Sequence, residues 1–318
     1  MKLIEYWIWA GYFIENTITT LTICNWGYYE MRKRISEKNV LPGRDFLKEY
    51  MKLEFLFSEN KCIGGFDAFS RRKSPQFTLE QYLNDIAFND WKLKGTSISL
   101  YNMREELELG KEAILKDFNL DIFIDFIEFC MNCVYRIDTT IDKHSGIIFI
   151  SDRKLLENIF DNCKTIMETT GYNFDFEKET QEIFIYAEND IANAVAETNE
   201  DIADSLVDYR RHDFKGNLKR KGEILCTLFK KLESIEKKFK GTTYEKMASD
   251  TTFLFNKTGV RHWVEQDRIA SETFMKMDSD TLEKWYDNTY DLFLGCMVVS
   301  SYLDIKKEIE QIKRLDGE

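Results

Sequence analysis

Only two of this chain's 318 residues are proline, Pro42 and Pro75. Proline interrupts helices and central strands and concentrates in turns. A chain so poor in it suits long helices better than a loop-rich sandwich. Hydrophobic residues make up 43% of the sequence and aromatics 14%, ample for a packed core and incompatible with global disorder. The predicted fold class is mainly α, a helical bundle with at most one small β-hairpin between N- and C-terminal helical modules. At this length the chain holds one large domain or two ordinary ones.

The formal net charge of −12 argues against wholesale wrapping of nucleic acid, so a polyanionic partner needs a local basic patch. The seven cysteines are Cys24, Cys62, Cys130, Cys133, Cys163, Cys226 and Cys296. They lie mostly in apolar runs, as buried cysteine does when it acts as a small hydrophobe. Cys130 and Cys133 form a C-x-x-C, but no second C-x-x-C or C-x-x-H completes a zinc site. No metal or cofactor is predicted, and a reducing cytoplasm fits the cysteine usage. The apolar N-terminal run is broken by Glu5 and Glu15. It falls short of the roughly 20 residues a membrane span needs, and it lacks a secretory cleavage site.

Three segments follow from composition. Residues 1–145 read as an aromatic-rich helical module with a break near Leu41-Pro42-Gly43. Within it, Cys62 to Pro75 carries turn residues and basic side chains and reads as a loop. Thr78 with Gln81 makes a capping box. Met103 to Val134 reads as one long helical region, with Asp121, Asp125 and Glu128 as a solvated acidic stripe.

Residues 146–187 read as a connecting region. Candidate strands there are Gly146–Ser151 and Glu182–Tyr186, with a turn at Gly171-Tyr172-Asn173 between them. Residues 188–318 read as a second helical module. Leu218, Leu225, Leu232 and Phe239 recur every seven residues, with Leu228 and Ile235 between them, which describes a helix with one buried seam. A final helix is predicted to start at a capping box, Asp280-Thr281-Leu282-Glu283.

Chemistry concentrates in two places. Arg210, Arg211, His212, Lys215, Lys219, Arg220 and Lys221 form a basic island, opposed in sequence only by Asp213. The island precedes the heptad helix, with Gly216-Asn217 as turn and cap, and suits either a solvated face or a phosphate-contacting surface. The second place is Phe255 to Trp263, where Arg261 adjoins His262 beyond a helix end marked by Asn256 and Gly259. An imidazole can exchange a proton near pH 7, and a guanidinium can fork onto phosphate oxygens. The pair equally suits an ion pair with a carboxylate and a cap on backbone carbonyls. P-loop, dinucleotide and nucleophile-elbow motifs are missing.

Three blocks resemble the C-terminal region of bacterial abortive-infection proteins of the HEPN superfamily. They are Val207-Asp208-Tyr209-Arg210 with Leu218 to Leu225, Phe255-Asn256 with Val260-Arg261-His262, and Trp285 to Leu294. The resemblance covers a little over a third of the chain. It implies an all-helical fold for residues 188–318, a setting in phage defence, and metal-independent RNA cleavage by a homo-oligomer. His262 and Arg261 are then the catalytic pair, with Asn256 orienting the site. Arg210, Arg211, His212, Lys215, Lys219 and Arg220 bind RNA, transfer RNA being one candidate. HEPN ribonucleases carry an arginine several residues before the histidine, whereas here Asn256 stands six residues before His262. The alternative is a non-catalytic helical sensor, or a subunit that binds a phage or defence-system protein.

Overall fold

The computed structural model describes residues 43–59, 61–67, 72–143, 148–150, 153–177, 179–260 and 272–316. The predicted N-terminal helix, the break at Pro42 and the Arg261–His262 pair lie outside these residues. The protein is mainly α, with two small antiparallel sheets.

The first module begins with α1 (Gly43–Ser58), then the strands β1 (Lys61–Asp67) and β2 (Arg72–Thr78). The segment predicted as a loop is therefore a hairpin, and β3 (Ile148–Ile150) extends it in the order β2-β1-β3. Its prolines and glycines mislead a local reading. Pro75 sits on the edge strand, where the register slips between Gly64 and Phe66, a position proline tolerates because no central ladder bond is lost. Short α2 (Leu79–Tyr82) follows, and its predicted capping box is present. The Gln81 N–H donates to the Thr78 hydroxyl at 3.1 Å, and the Thr78 N–H donates to Gln81 Oε1 at 3.0 Å.

The predicted long helical region divides into α3 (Leu100–Glu106), α4 (Lys111–Lys116) and α5 (Leu120–Lys143). Glu108 takes a positive φ of 56° after α3. Asn119 caps α5 by accepting the Ile122 N–H. α5 is the axis of the module. Phe123, Ile124, Phe126, Ile127, Cys130, Met131, Cys133 and Val134 are all buried, so apolar residues cover it on most sides, as expected of a central helix.

α6 (Arg153–Thr170) packs on α5, followed by the hairpin β4 (Tyr172–Phe176) and β5 (Ile183–Ala187). The predicted turn at Gly171-Tyr172-Asn173 is thus only Gly171, at φ 80°; the next two residues begin β4. Nor does the earlier candidate strand pair with the later one, because Ile63 of β1 faces Ile150 and Phe174 of β4 faces Ile185. The segment expected as a connector supplies Ile159, Cys163, Ile166, Ile183 and Ile185 to the first core.

The second module comprises α7 (Asp190–Thr198), α8 (Ala203–Asp208), α9 (Leu218–Ile235), α10 (Glu245–Lys257), α11 (Glu272–Met275) and α12 (Ser279–Leu315). Gly216, at φ 77°, makes the predicted turn, and Asn217 caps α9 by accepting the Arg220 N–H. The predicted seam is inward: Leu225, Leu228 and Leu232 are fully buried, and Ile235 and Phe239 nearly so. α10 and α12 close over it. The cap of α12 is Asp278, not Asp280, and accepts the Thr281 N–H at 2.8 Å. Glu283 is occupied elsewhere. Two separate cores result, one spanning Tyr50 to Ile185 and the other Ala192 to Leu303.

Candidate functional site

Where the two modules meet, an open cleft of about 670 Å³ is bordered by the β4–β5 hairpin, the Tyr209–His212 turn, and the starts of α9 and α12. α12 presents Asp280, Glu283, Lys284, Asp287 and Asp291 to it. Steps of three and four residues place these side chains on one helix face.

The network begins at Lys221, which is 7% exposed. Its ammonium lies 2.8 Å from Glu283 and 2.9 Å from Asp287, and 5.2 Å from the centre of the Tyr209 ring. Tyr209 donates its hydroxyl to Asp287 at 2.9 Å and stacks on Tyr290, with ring centres 4.2 Å apart and planes 10° apart. Burial, together with the adjacent Asp287, pushes the Tyr209 phenol well above its ordinary range. Burial works against the charge of Glu283, but Lys221 and the Gly216 N–H outweigh it and hold that carboxyl low. Asp291 is raised, first by burial and then by Asp287.

The basic island contributes its first residues to this wall, each already engaged. Arg210 is 9% exposed. It donates to the Leu206 and Ala187 carbonyls and to Asn193, and lies over Tyr186. Arg211 meets both Asp213 oxygens at 2.9 Å and Glu177 at 2.6 Å, between the rings of Phe184 and Phe214. A backbone bridge between Tyr186 and Arg211 attaches this turn to the edge of β5.

His212 is 8% exposed. Its Nε2 lies 3.1 Å from the Asp121 carbonyl and 3.2 Å from the Asp125 carboxylate. Burial lowers the imidazole pKa, but the Asp125 and Asp121 contacts prevail and raise it. Lys215 pairs with Asp121, and Arg220 reaches Glu223 at 3.4 Å and Asp208 at 4.0 Å. Lys219 is exposed on α9.

The acidic stripe of α5, predicted as solvated, is half-exposed at Asp121 and Asp125 and through the same two residues also docks the second module. Glu128 extends it by accepting the Ile185 N–H at 2.7 Å. Burial, with Asp213 and Asp125 nearby, pushes this carboxyl up to about 8, against the pull of the Ile185 N–H and Arg211. One turn further, buried Asn132 both donates to and accepts from the Ile183 backbone at 2.8 Å, taking the place of a strand neighbour for β5. Local sequence gave no sign of these roles. The signal available was complementarity, an acidic face on a buried helix and a basic island elsewhere in the chain.

Asn256 occupies the last turn of α10 and is partly exposed, and Gly259 just beyond takes the predicted positive φ, 78°. Near this end, Phe255 packs on Phe229 and Phe293, and Phe274 meets Trp285 edge-on. At about 100° per residue, Trp285 and Phe293 lie on the face of α12 turned away from Asp280, Asp287 and Asp291. The described residues flanking the Arg261–His262 segment thus pack on the side of α12 opposite the cleft.

Among the described residues, no three His, Cys, Asp or Glu side chains are grouped to hold a metal ion. Cys130 and Cys133 are buried thiols whose pKa values burial raises well above the ordinary. No helix of the described residues is long and apolar enough to cross a membrane. No family model, curated protein or solved structure matches this chain.

Proposed function

We propose that this chain is a binding module, in which two helical units clasp each other and hold a small polar molecule of mixed charge in the cleft between them. Charge balance carries the reading. Five carboxylates (Glu188, Asp280, Glu283, Asp287, Asp291) share the cleft with five cations (Arg210, Arg211, Lys215, Lys221, Lys284) and with His212, which is held by Asp125 behind the wall. A phosphate backbone is attracted by uncompensated cations, whereas a balanced wall favours a ligand carrying both signs. The volume falls within the roughly 300–1,000 Å³ typical of small-molecule sites. In the phage-defence setting that the resemblance implies, such a module senses a ligand or holds a partner.

The test is a thermal-shift panel of amino acids, nucleotides and polyamines on the full chain, with calorimetry on any hit. A ligand at a hundred times its Kd stabilises by about 2.7 kcal/mol. That gain should shrink in Asp291→Asn, whose side chain is exposed on the cleft wall. No hit, or a hit insensitive to that change, counts against the reading.

A second reading, metal-independent RNA cleavage, is favoured by the positive φ of Gly259 and the partial exposure of Asn256, immediately before Arg261 and His262. In it, His262 takes the proton of a ribose 2′-hydroxyl, whose oxygen attacks the adjacent phosphorus as the bond to the 5′-oxygen breaks; the leaving oxygen takes a proton from water and a 2′,3′-cyclic phosphate remains. Arg261 stabilises the phosphoryl oxygens, Asn256 orients the site, and Arg210, Arg211, His212, Lys215, Lys219 and Arg220 steer the strand. It predicts cleavage that persists in EDTA and is lost in His262→Ala.

A further inference from the structure

The last third of α12 leaves the body of the protein. From Asp304 to Asp316 every residue whose side chain is described is exposed, a projection of nearly 20 Å at about 1.5 Å per residue. Beyond the Lys238–Asp304 ion pair, a helical stretch this short, which no described residue covers, is marginal in water. Its sequence nevertheless keeps an apolar line. Val298 (48% exposed), Tyr302 (43%), Ile305 (53%), Ile309 (40%) and Ile312 (57%) follow one another at steps of four, three, four and three. The average step is 3.5 residues, the repeat that keeps one seam facing a partner helix in a left-handed coiled coil.

The charges beside this seam indicate the partner. With Tyr302 and Ile309 at the first core position of each heptad and Ile305 and Ile312 at the fourth, Lys306 and Lys313 flank one side and Glu308 the other. In a parallel, in-register pair, Glu308 of one helix meets Lys313 of the next, which is attractive. An antiparallel pair sets glutamate against glutamate and lysine against lysine. Within the chain, Lys306 reaches Glu310 at 3.9 Å on the outer surface.

We infer that α12 joins further copies of this chain through a parallel, in-register coiled coil along Val298, Tyr302, Ile305, Ile309 and Ile312. Isoleucine at both core positions of the last heptad, Ile309 and Ile312, suits three strands as well as two, so the mass decides the number. The inference stands apart from the cleft and its ligand.

Sedimentation equilibrium on the full chain tests it. The wild type should give at least twice the monomer mass. Ile309→Asp and Ile305→Asp, at exposed positions, should give folded monomers that lose helix only from the projecting end of α12. Glu308→Lys and Lys313→Glu should each weaken association several-fold, and the two together should restore it. A monomeric wild type overturns the inference, including the case where residues 1–42 or another protein covers the seam. So does an assembly that survives both aspartate changes, or a charge exchange that restores nothing.

Discussion

Arg104 and Lys221 are nearly buried cations, one in each core, and their surroundings differ. Arg104 forks onto both oxygens of Glu54 at 3.2 and 2.9 Å, donates twice to the Leu109 carbonyl, and lies over the rings of Phe126 and Phe129. Its principal carboxylate, Glu54, is itself 14% exposed. Lys221 instead rests on Glu283 and Asp287, and the Asp287 side chain is 50% exposed. The first cation is sealed among apolar groups and acts as an internal strut. The second forms the floor of an open cleft, where its partners still meet solvent. The charge of Arg104 is enclosed; that of Lys221 is placed where a ligand can reach its partners.

The largest expected effect comes from breaking the enclosed pair. Arg104→Ala leaves Glu54 buried without its cation and should cost about 3–5 kcal/mol, read by denaturant unfolding. Lys221→Met should cost about 1–2 kcal/mol, between the ranges for buried and exposed pairs. Moderate salt should reduce the Lys221 effect and leave that of Arg104 almost unchanged. Equal costs or equal salt responses would erase the distinction between the two cores.

The junction between the modules should respond to pH. His212 has a raised pKa in the folded protein, so its contribution is complete below its unfolded value, about 6.5. That contribution is lost as pH rises through the folded value. Glu128 is raised to about 8, so the folded state holds a proton that the unfolded chain releases near 4.5. Stability therefore falls as pH rises from there towards 8. Both groups slope the same way. Unfolding free energy should decline across neutral pH, and Glu128→Gln should flatten the decline while its amide oxygen still accepts the Ile185 N–H. A stability that rises across the same range contradicts this. Smallest of all, Lys219→Ala should change stability by no more than about 0.5 kcal/mol, in contrast to its engaged neighbours.

Much of the fold was legible because it depends on short-range chemistry. The Thr78–Gln81 capping box, the Gly216–Asn217 turn, the α9 seam and the Gly259 turn each need only neighbours within a few residues. The three-stranded sheet did not show, because Gly64, Gly65 and Pro75 resemble a loop until a partner strand from residue 148 onward pairs with β1. The docking role of the acidic stripe on α5 did not show for the same reason. Asp121 and Asp125 keep half their surface in water and still meet Lys215 and His212, whose positions in sequence give no hint of the contact. The basic island was visible, but many of the carboxylates that engage it are remote in sequence, on α5, beside β4 and on α12, and join the nearby Asp208, Asp213 and Glu223. Asn132 was hidden between two buried cysteines and is recognisable only once β5 lies beside it.

The central claim is that the basic residues of the cleft wall are already committed within this chain, Arg211, Lys215 and Lys221 to carboxylates and Arg210 to carbonyls and Asn193. Its most direct test is the salt dependence of RNA binding by the full chain, plotted as log affinity against log salt. The account predicts weak binding and a slope close to that of a single released counterion. A steep slope, with roughly one unit for each of several neutralised phosphates, would mean that the island is free to hold a polyanion, and would contradict it.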